Sequence, residues 1–246
     1  MADHFGCVGV PVESVEHLLA IAEQAAEVAE AIPVDRATYY HWVDKTGAEL
    51  WIQADEAGQF LGINPHFSGE SVIEIVLTDS IHRGQEGVLD GAFQGWVGPD
   101  ESGESGLYPM VFDCPCALTH ADLVFPHRTR IQVAAMPHEV RLFETEEAYD
   151  SGDRETPGFA ARSFVPSGLF GDAGDAQALG IITGLITKVD RLTNGLTGGS
   201  FWWLVVESLG GTFDVVAGPG DLPEAPSVGG VIYGTFWLSG RLLPPA

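Results

Sequence analysis

The chain has 246 residues, 45% of them hydrophobic and 10% aromatic, which is the composition of a globular protein that can bury a core. Its formal net charge is -24, because 35 Asp and Glu residues face only 11 Lys and Arg residues. An excess of acid this large disfavours binding to a phosphate backbone or to an anionic membrane surface. The sequence contains no run of eighteen apolar residues, so no membrane span is predicted.

The N-terminal residues and the cysteines predict a cytoplasmic protein with reduced thiols. Residues 1–4 lack the basic start and apolar run of a secretory signal peptide. Three cysteines are an odd number and do not make a disulfide framework. The acidic surface is explained by solubility or adaptation to salt, and it could also attract a basic partner.

Charge and strand pattern both place a domain boundary near residue 170. Residues 1–175 carry a net charge of -22, whereas residues 176–246 carry -2. Between them, residues 166–175 form a connector rich in Gly and Asp. We therefore predict an acidic α+β domain over residues 1–170 and a small β domain over residues 176–246.

The first domain is predicted to be an antiparallel sheet with one long amphipathic helix. A short strand is expected over Phe5–Val12. Ser14 then has the character of a helix N-cap, and apolar residues follow at helical spacing as far as Ile32, where Pro33 ends the helix. The remaining predicted strands of this domain are Ala37–Val43, Ala48–Gln53, Gln59–Phe67, Ser71–Asp79, Tyr108–Cys114, Arg128–Met136 and Val140–Phe143. Residues 80–108 are predicted to be mostly loop.

The order of elements over about residues 4–80 resembles the half-module of the vicinal oxygen chelate (glyoxalase/bleomycin-resistance) superfamily. The segments that carry the resemblance are Gly6–Val10, the helix from Ser14 to Ile32, and the hairpin from Trp42 to Leu50. The resemblance implies a paired module with His and Glu metal ligands on facing strands.

His41, Glu49 and His66 are the candidate ligands for a divalent metal ion in that reading. They lie on three consecutive predicted strands, and a meander can bring such residues together on one face. The strand register decides whether the three side chains share that face, because a shift of one residue sends a side chain to the opposite face. Hydrogen-bonded or exposed histidines are the alternative interpretation.

The last third of the chain resembles an OB-type β-barrel. The resemblance rests on Gly180–Ile186 and Gly229–Gly234, where glycines inside strands allow a sharp bend. Many OB-folds bind oligonucleotides through aromatic and basic residues, but this segment has few cations, so its aromatic residues are interpreted as core or interface. The predicted strands are Ile181–Val189, Phe201–Ser208, Thr212–Val216 and Val231–Leu238.

Cys114, Cys116, His120 and His127 form the most metal-like local cluster in the sequence. Thiolate and imidazole are the ligands that zinc prefers, but structural zinc sites usually place two to four residues between their cysteines. A single intervening proline is expected to direct the two thiols apart. This spacing favours a structural or incidental role for the cysteines over a zinc site.

These observations predict a soluble cytoplasmic binding or interaction protein, with no catalytic motif that can be identified and no cofactor. Its partner would be an unknown protein, for example a basic one, or a second copy of the chain, rather than nucleic acid or a membrane. The alternative is a metal-dependent enzyme of the vicinal oxygen chelate type, acting on a small molecule through His41, Glu49 and His66.

Overall fold

The structure is a computed structural model that describes residues 4–82, 89–151, 158–169 and 176–244. Its secondary structure is dominated by strands, as predicted for a β-rich α+β protein. The helices are α1 (Val15–Ala26) and α2 (Glu146–Asp150), with 3-10 turns at Gly6–Val8, Ala117–His120 and Ser167–Leu169. The strands are β1 (Glu30–Val34), β2 (Ala37–Val43), β3 (Ala48–Asp55), β4 (Phe60–Phe67), β5 (Ile73–His82), β6 (Gly91–Val97), β7 (Tyr108–Cys114), β8 (His127–Phe143), β9 (Ser163–Val165), β10 (Leu179–Thr193), β11 (Ser200–Ser208), β12 (Gly211–Ala217) and β13 (Val231–Leu242). None of the helices in the described residues is long and apolar enough to cross a bilayer.

The first four strands form an antiparallel sheet in chain order, β1-β2-β3-β4. A turn over residues 44–47 joins β2 to β3, and Gly47 takes a φ of 94°, which a residue with a Cβ rarely adopts. Along β3 the side chains alternate between two faces. Leu50 and Ile52 share an apolar cluster with Ala22 and Ala25 of α1, so the helix covers one face of this sheet.

The other nine strands form one mixed sheet, in the order β11-β12-β8-β5-β6-β7-β13-β10-β9. The longest pairing joins β8 and β13, antiparallel from Ile131 opposite Leu242 to Phe143 opposite Val231. Strands from before and after residue 170 are therefore hydrogen-bonded to one another. The predicted boundary near residue 170 does not separate two sheets.

One face of the nine-stranded sheet lines the larger core, to which Ala37, Tyr39 and Trp51 of the four-stranded sheet also belong. On β8, Ile131, Val133 and Ala135 belong to the larger core cluster. Ala134 and Met136, the alternate residues, belong to the cluster that contains α1 and Leu50. The region between the two sheets is therefore lined by alternate residues of β8, β12 and β13.

Several elements of the structure differ from the predicted ones in their bounds or type. Helix α1 stops at Ala26, and the predicted extension to Ile32 was wrong because β1 begins at Glu30. The predicted strand Phe5–Val12 is instead a 3-10 turn followed by residues without regular structure. The two predicted strands between residues 128 and 143 are one continuous strand, β8. Strand β6 lies within residues 80–108, which were predicted to be mostly loop.

Candidate metal centre

Cys114, Cys116 and His120 converge at the end of β7. Cys114 is the last residue of the strand, Cys116 precedes the 3-10 turn Ala117–His120, and His120 is the last residue of that turn. The two sulfur atoms lie 3.7 Å apart, and the Sγ of Cys116 lies 4.0 Å from the Nε2 of His120. The expectation that Pro115 would direct the thiols apart was wrong. The chain leaves the strand at Pro115, so the alternation of side chains along a strand no longer applies.

These separations match the edges of a tetrahedral zinc site. Zinc bonds to sulfur at about 2.3 Å and to nitrogen at about 2.0–2.1 Å, so two bound sulfurs lie about 3.8 Å apart and a bound sulfur and nitrogen about 3.6 Å apart. The thiol pair already has the required separation. All three ligand atoms lie within 4.8 Å of one another, so the imidazole needs to move by up to about an ångström to complete the site.

The environment of the cluster holds its backbone in place. Tyr39 on β2 accepts a hydrogen bond from the backbone N–H of Leu118 at 3.4 Å and donates to the carbonyl of Leu89 at 2.8 Å. The Thr119 hydroxyl donates to the Cys116 carbonyl at 2.8 Å. Both cysteines are buried, whereas His120 is half-buried. The ligand atoms are thus fixed by a short turn and its contacts to β2.

The two thiols share a proton unequally. The hydrogen bond from the Cys114 thiol lowers the pKa of Cys116 to about 5, and the neighbouring His120 acts in the same direction. The same hydrogen bond, with burial, raises the pKa of Cys114 well above its ordinary value. The pair therefore holds one thiolate and one thiol, which is the state that a cation would bind after displacing the remaining proton.

A small polar cavity of about 70 Å³ adjoins the cluster at Cys114. Asp90 at its wall accepts hydrogen bonds from Gln53 at 2.8 Å and from Asn64 at 2.7 Å. Asp113 accepts one from the indole N–H of Trp237 at 2.6 Å. Two carboxylates, those of Asp90 and Asp113, therefore lie in the wall of the cavity beside Cys114.

His127, the fourth residue of the cluster in the sequence, is separate from the other three. Within the described residues, the side chains close enough to share one ion are those of Cys114, Cys116 and His120. His127 begins β8 and lines an open groove together with His120. The structure thus contains a three-residue ligand set rather than the four-residue set of the sequence pattern.

The strand register places His41, Glu49 and His66 on one face of the four-stranded sheet, as their prediction required. Glu49 lies directly opposite His66, and His41 lies opposite Trp51, two residues further along β3. This face is turned toward the nine-stranded sheet, away from α1. The carboxylate of Glu49 is 1% exposed.

Glu49 and His66 are engaged with other side chains. Glu49 accepts from the Trp51 indole at 3.0 Å and lies 3.0 Å from the Nε2 of His41 and 3.3 Å from a guanidinium nitrogen of Arg241. Burial alone would raise the pKa of Glu49, but His41, His66 and Arg241 together lower it. A metal at these residues would have to displace the indole and the guanidinium.

Both ring nitrogens of His66 have hydrogen-bond partners on the nine-stranded sheet. Nδ1 lies 2.8 Å from the hydroxyl of Ser239, and Nε2 lies 3.1 Å from the amide oxygen of Gln132. Burial lowers the pKa of His66, although the Glu49 charge opposes this. The imidazole is therefore neutral inside the protein. The proposal of a metal at His41, Glu49 and His66 stays a prediction.

The partners of Gln132 fix the tautomer of His66. The amide nitrogen of Gln132 donates to the carboxylate of Asp214 at 2.8 Å, so its oxygen faces His66. An amide oxygen only accepts, so Nε2 of His66 carries the proton, and Nδ1 accepts from the Ser239 hydroxyl. We call these four residues, Ser239, His66, Gln132 and Asp214, the inter-sheet chain.

The sequence analysis did not identify Gln132, Asp214 or Ser239. Each is a buried polar residue that follows a residue of the larger core along its strand and lies on the opposite face. Isolated polar residues at alternate positions of buried strands were the available signal, because a buried polar group needs a partner.

Comparisons with protein-family models, with curated proteins and with solved structures gave no match to this chain.

Proposed function

We propose that this is a metal-binding protein that holds a zinc ion through the thiolates of Cys114 and Cys116 and the imidazole of His120. The observation that carries the proposal is the 3.7 Å separation of two buried sulfur atoms with an imidazole nitrogen beside them. Soft thiolate ligands select zinc or copper(I) over magnesium and calcium, which prefer oxygen.

Three protein ligands leave one coordination position for water or a small ligand. Structural zinc sites use four protein ligands, whereas a site with two cysteines and one histidine keeps an open position in catalytic zinc enzymes. The small polar cavity beside Cys114 and the half-buried His120 give this position an environment that is neither fully apolar nor fully solvated. The proposed function is therefore zinc binding with one coordination position open. Zinc would then be a ligand of the binding protein that the sequence predicts.

Zinc titration against a chromophoric chelator tests the proposal. The wild-type protein should bind one zinc ion per chain, and Cys114→Ser and Cys116→Ser should each lower the affinity by at least tenfold. Cys7→Ser is the matched control, because Cys7 is also buried but lies near Asp221. Equal zinc affinity in Cys114→Ser, Cys7→Ser and the wild type would overturn the proposal.

The same titration separates this site from the one predicted from the chelate-family resemblance. If His41→Ala or His66→Ala abolishes zinc binding while Cys114→Ser retains it, the metal belongs to the four-stranded sheet. Two resemblances stay predictions: that of residues 4–80 to a chelate half-module and that of residues 176–243 to an OB-type barrel. Zinc binding at the cysteines depends on neither of them.

A further inference from the structure

His120 lines an open groove that shares no lining residue with the small cavity. Its volume is about 580 Å³, within the range of small-molecule sites. Polar side chains at its wall come from the start of β8 and from β5, and Leu123 and the residues after β13 add an apolar floor. The polar lining residues are Glu74, His120, His127, Arg128, Thr129 and Arg130.

The groove concentrates positive charge in a strongly acidic protein. Two of the chain's 11 Lys and Arg residues, Arg128 and Arg130, line it together with two histidines, and Glu74 is the carboxylate among its lining residues. A local cationic site on a chain with a net charge of -24 is the reverse of its average surface. Such a site attracts anions against the field of the whole molecule.

The two guanidinium groups retain donors for a ligand. Arg128 donates to the carbonyl of Asp100 at 2.6 Å, and Arg130 donates to the carbonyl of Pro244 at 3.2 Å. Across the described residues, neither arginine forms an ion pair with a carboxylate, whereas Arg162 is paired with both Glu146 and Glu207. A guanidinium has five N–H donors in a planar fork that matches a carboxylate or a phosphate.

We infer that this groove binds a small organic anion, carrying a carboxylate or phosphate group, which Arg128 and Arg130 hold beside His120. The anion site is inferred from the groove alone. Its role as the substrate site of the metal centre rests on the proposed zinc function, since His120 is the residue shared between the two. The chemical class of the ligand follows from the two guanidinium forks.

Calorimetric titration of succinate and of inorganic phosphate at low ionic strength tests the inference. Arg128→Gln/Arg130→Gln removes both guanidinium forks and their charge-assisted hydrogen bonds to the anion, so it should weaken binding at least tenfold. Arg191→Gln is the matched control. Arg191 is on β10, where its guanidinium lies over the ring of Trp202, and it does not line the groove. Glu74→Gln is a second variant and should tighten binding, because it removes the acidic group from the wall. The relative affinities for succinate and phosphate identify which anion the groove prefers.

The outcome does not depend on zinc. Retention of anion binding by metal-free Cys114→Ser would support the groove even if the metal proposal failed. The inference is overturned if the wild type binds neither anion, or if the double variant and Arg191→Gln bind as well as the wild type.

Discussion

The Nδ1 atom of His66 lies 2.8 Å from the hydroxyl of Ser239, although the two residues are 173 positions apart in the chain. This hydrogen bond joins β4 of the four-stranded sheet to β13 of the nine-stranded sheet. It belongs to the inter-sheet chain that continues through Gln132 to Asp214, all of it buried. A polar chain of this kind fixes how the two sheets pack, because its buried members keep their hydrogen bonds only in this arrangement.

Replacing Ser239 with alanine should destabilise the protein by about 1–3 kcal/mol. The variant leaves the buried Nδ1 of His66 without its donor, and an unsatisfied buried group costs that amount. Ser80→Ala, at an exposed position of β5, is the control and should change the free energy of unfolding by less than about 0.5 kcal/mol. Urea unfolding monitored by circular dichroism measures both. A Ser239→Ala protein as stable as Ser80→Ala would show that the hydrogen bond contributes nothing.

Replacing Asp214 with asparagine should destabilise the protein by at least about 2 kcal/mol, because hydrogen bonds to a charged group contribute about 1.5–3 kcal/mol. The carboxylate accepts from the backbone N–H groups of Glu70 and Ser71, from Gln132 and from the indole of Trp203. An amide would turn a donor toward some of these donors. The space is also closed, since a Cβ on Gly69 would lie 2.1 Å from the Asp214 carboxyl carbon.

Asp79→Asn, an exposed aspartate on β5, is the control for Asp214→Asn. Chemical unfolding gives the global free energy, and intrinsic fluorescence of the six tryptophans, of which Trp203 contacts Asp214, reports the local change. An unchanged unfolding midpoint together with an unchanged emission maximum would contradict the assigned role of Asp214.

The free energy of unfolding should decrease as the pH falls below about 6.5, and His66 should contribute to this slope. Burial lowers the pKa of His66 in the folded protein, whereas the unfolded chain has the ordinary value of about 6.5. The unfolded state therefore binds the proton first, so the stabilisation is complete above that pH and is lost on acidification. One proton contributes at most about 1.4 kcal/mol per pH unit.

Urea unfolding at several pH values between 5.5 and 7.5 measures this slope. His66→Gln should show a shallower dependence than the wild type, whereas His82→Gln, at the exposed end of β5, should follow the wild type. Identical slopes for His66→Gln and the wild type would mean that folding does not shift the pKa of His66.

Local patterns in the sequence predicted the bounds of individual strands better than they predicted which strands lie side by side. The strand Tyr108–Cys114 has the predicted bounds, and the β2–β3 hairpin forms across the predicted turn. Helix α1 is shorter than its apolar stripe because residues from Glu30 onward pair with β2, and that pairing overrides the helical spacing. Strand β6 was missed because its two glycines weaken the strand pattern.

The partners of each strand could not be read from the sequence. Alternation indicates which face of a strand is buried, but not which strand lies beside it. The pairing of β8 with β13 therefore joins two parts that composition had separated. For the same reason the inter-sheet chain was invisible, since its members come from β4, β8, β12 and β13. The convergence of Cys114 and Cys116 depends on the turn at Pro115, which spacing alone did not predict.

X-ray absorption spectroscopy at the zinc edge of the zinc-loaded protein tests the metal centre most directly. The account predicts two sulfur neighbours at about 2.3 Å and one imidazole nitrogen at about 2.0–2.1 Å, with a further light atom in the open position. Cys116→Ser should lose one sulfur from this shell, whereas Cys7→Ser should leave it unchanged. A zinc shell made only of nitrogen and oxygen atoms in the wild-type protein would contradict the assignment of Cys114 and Cys116 as ligands.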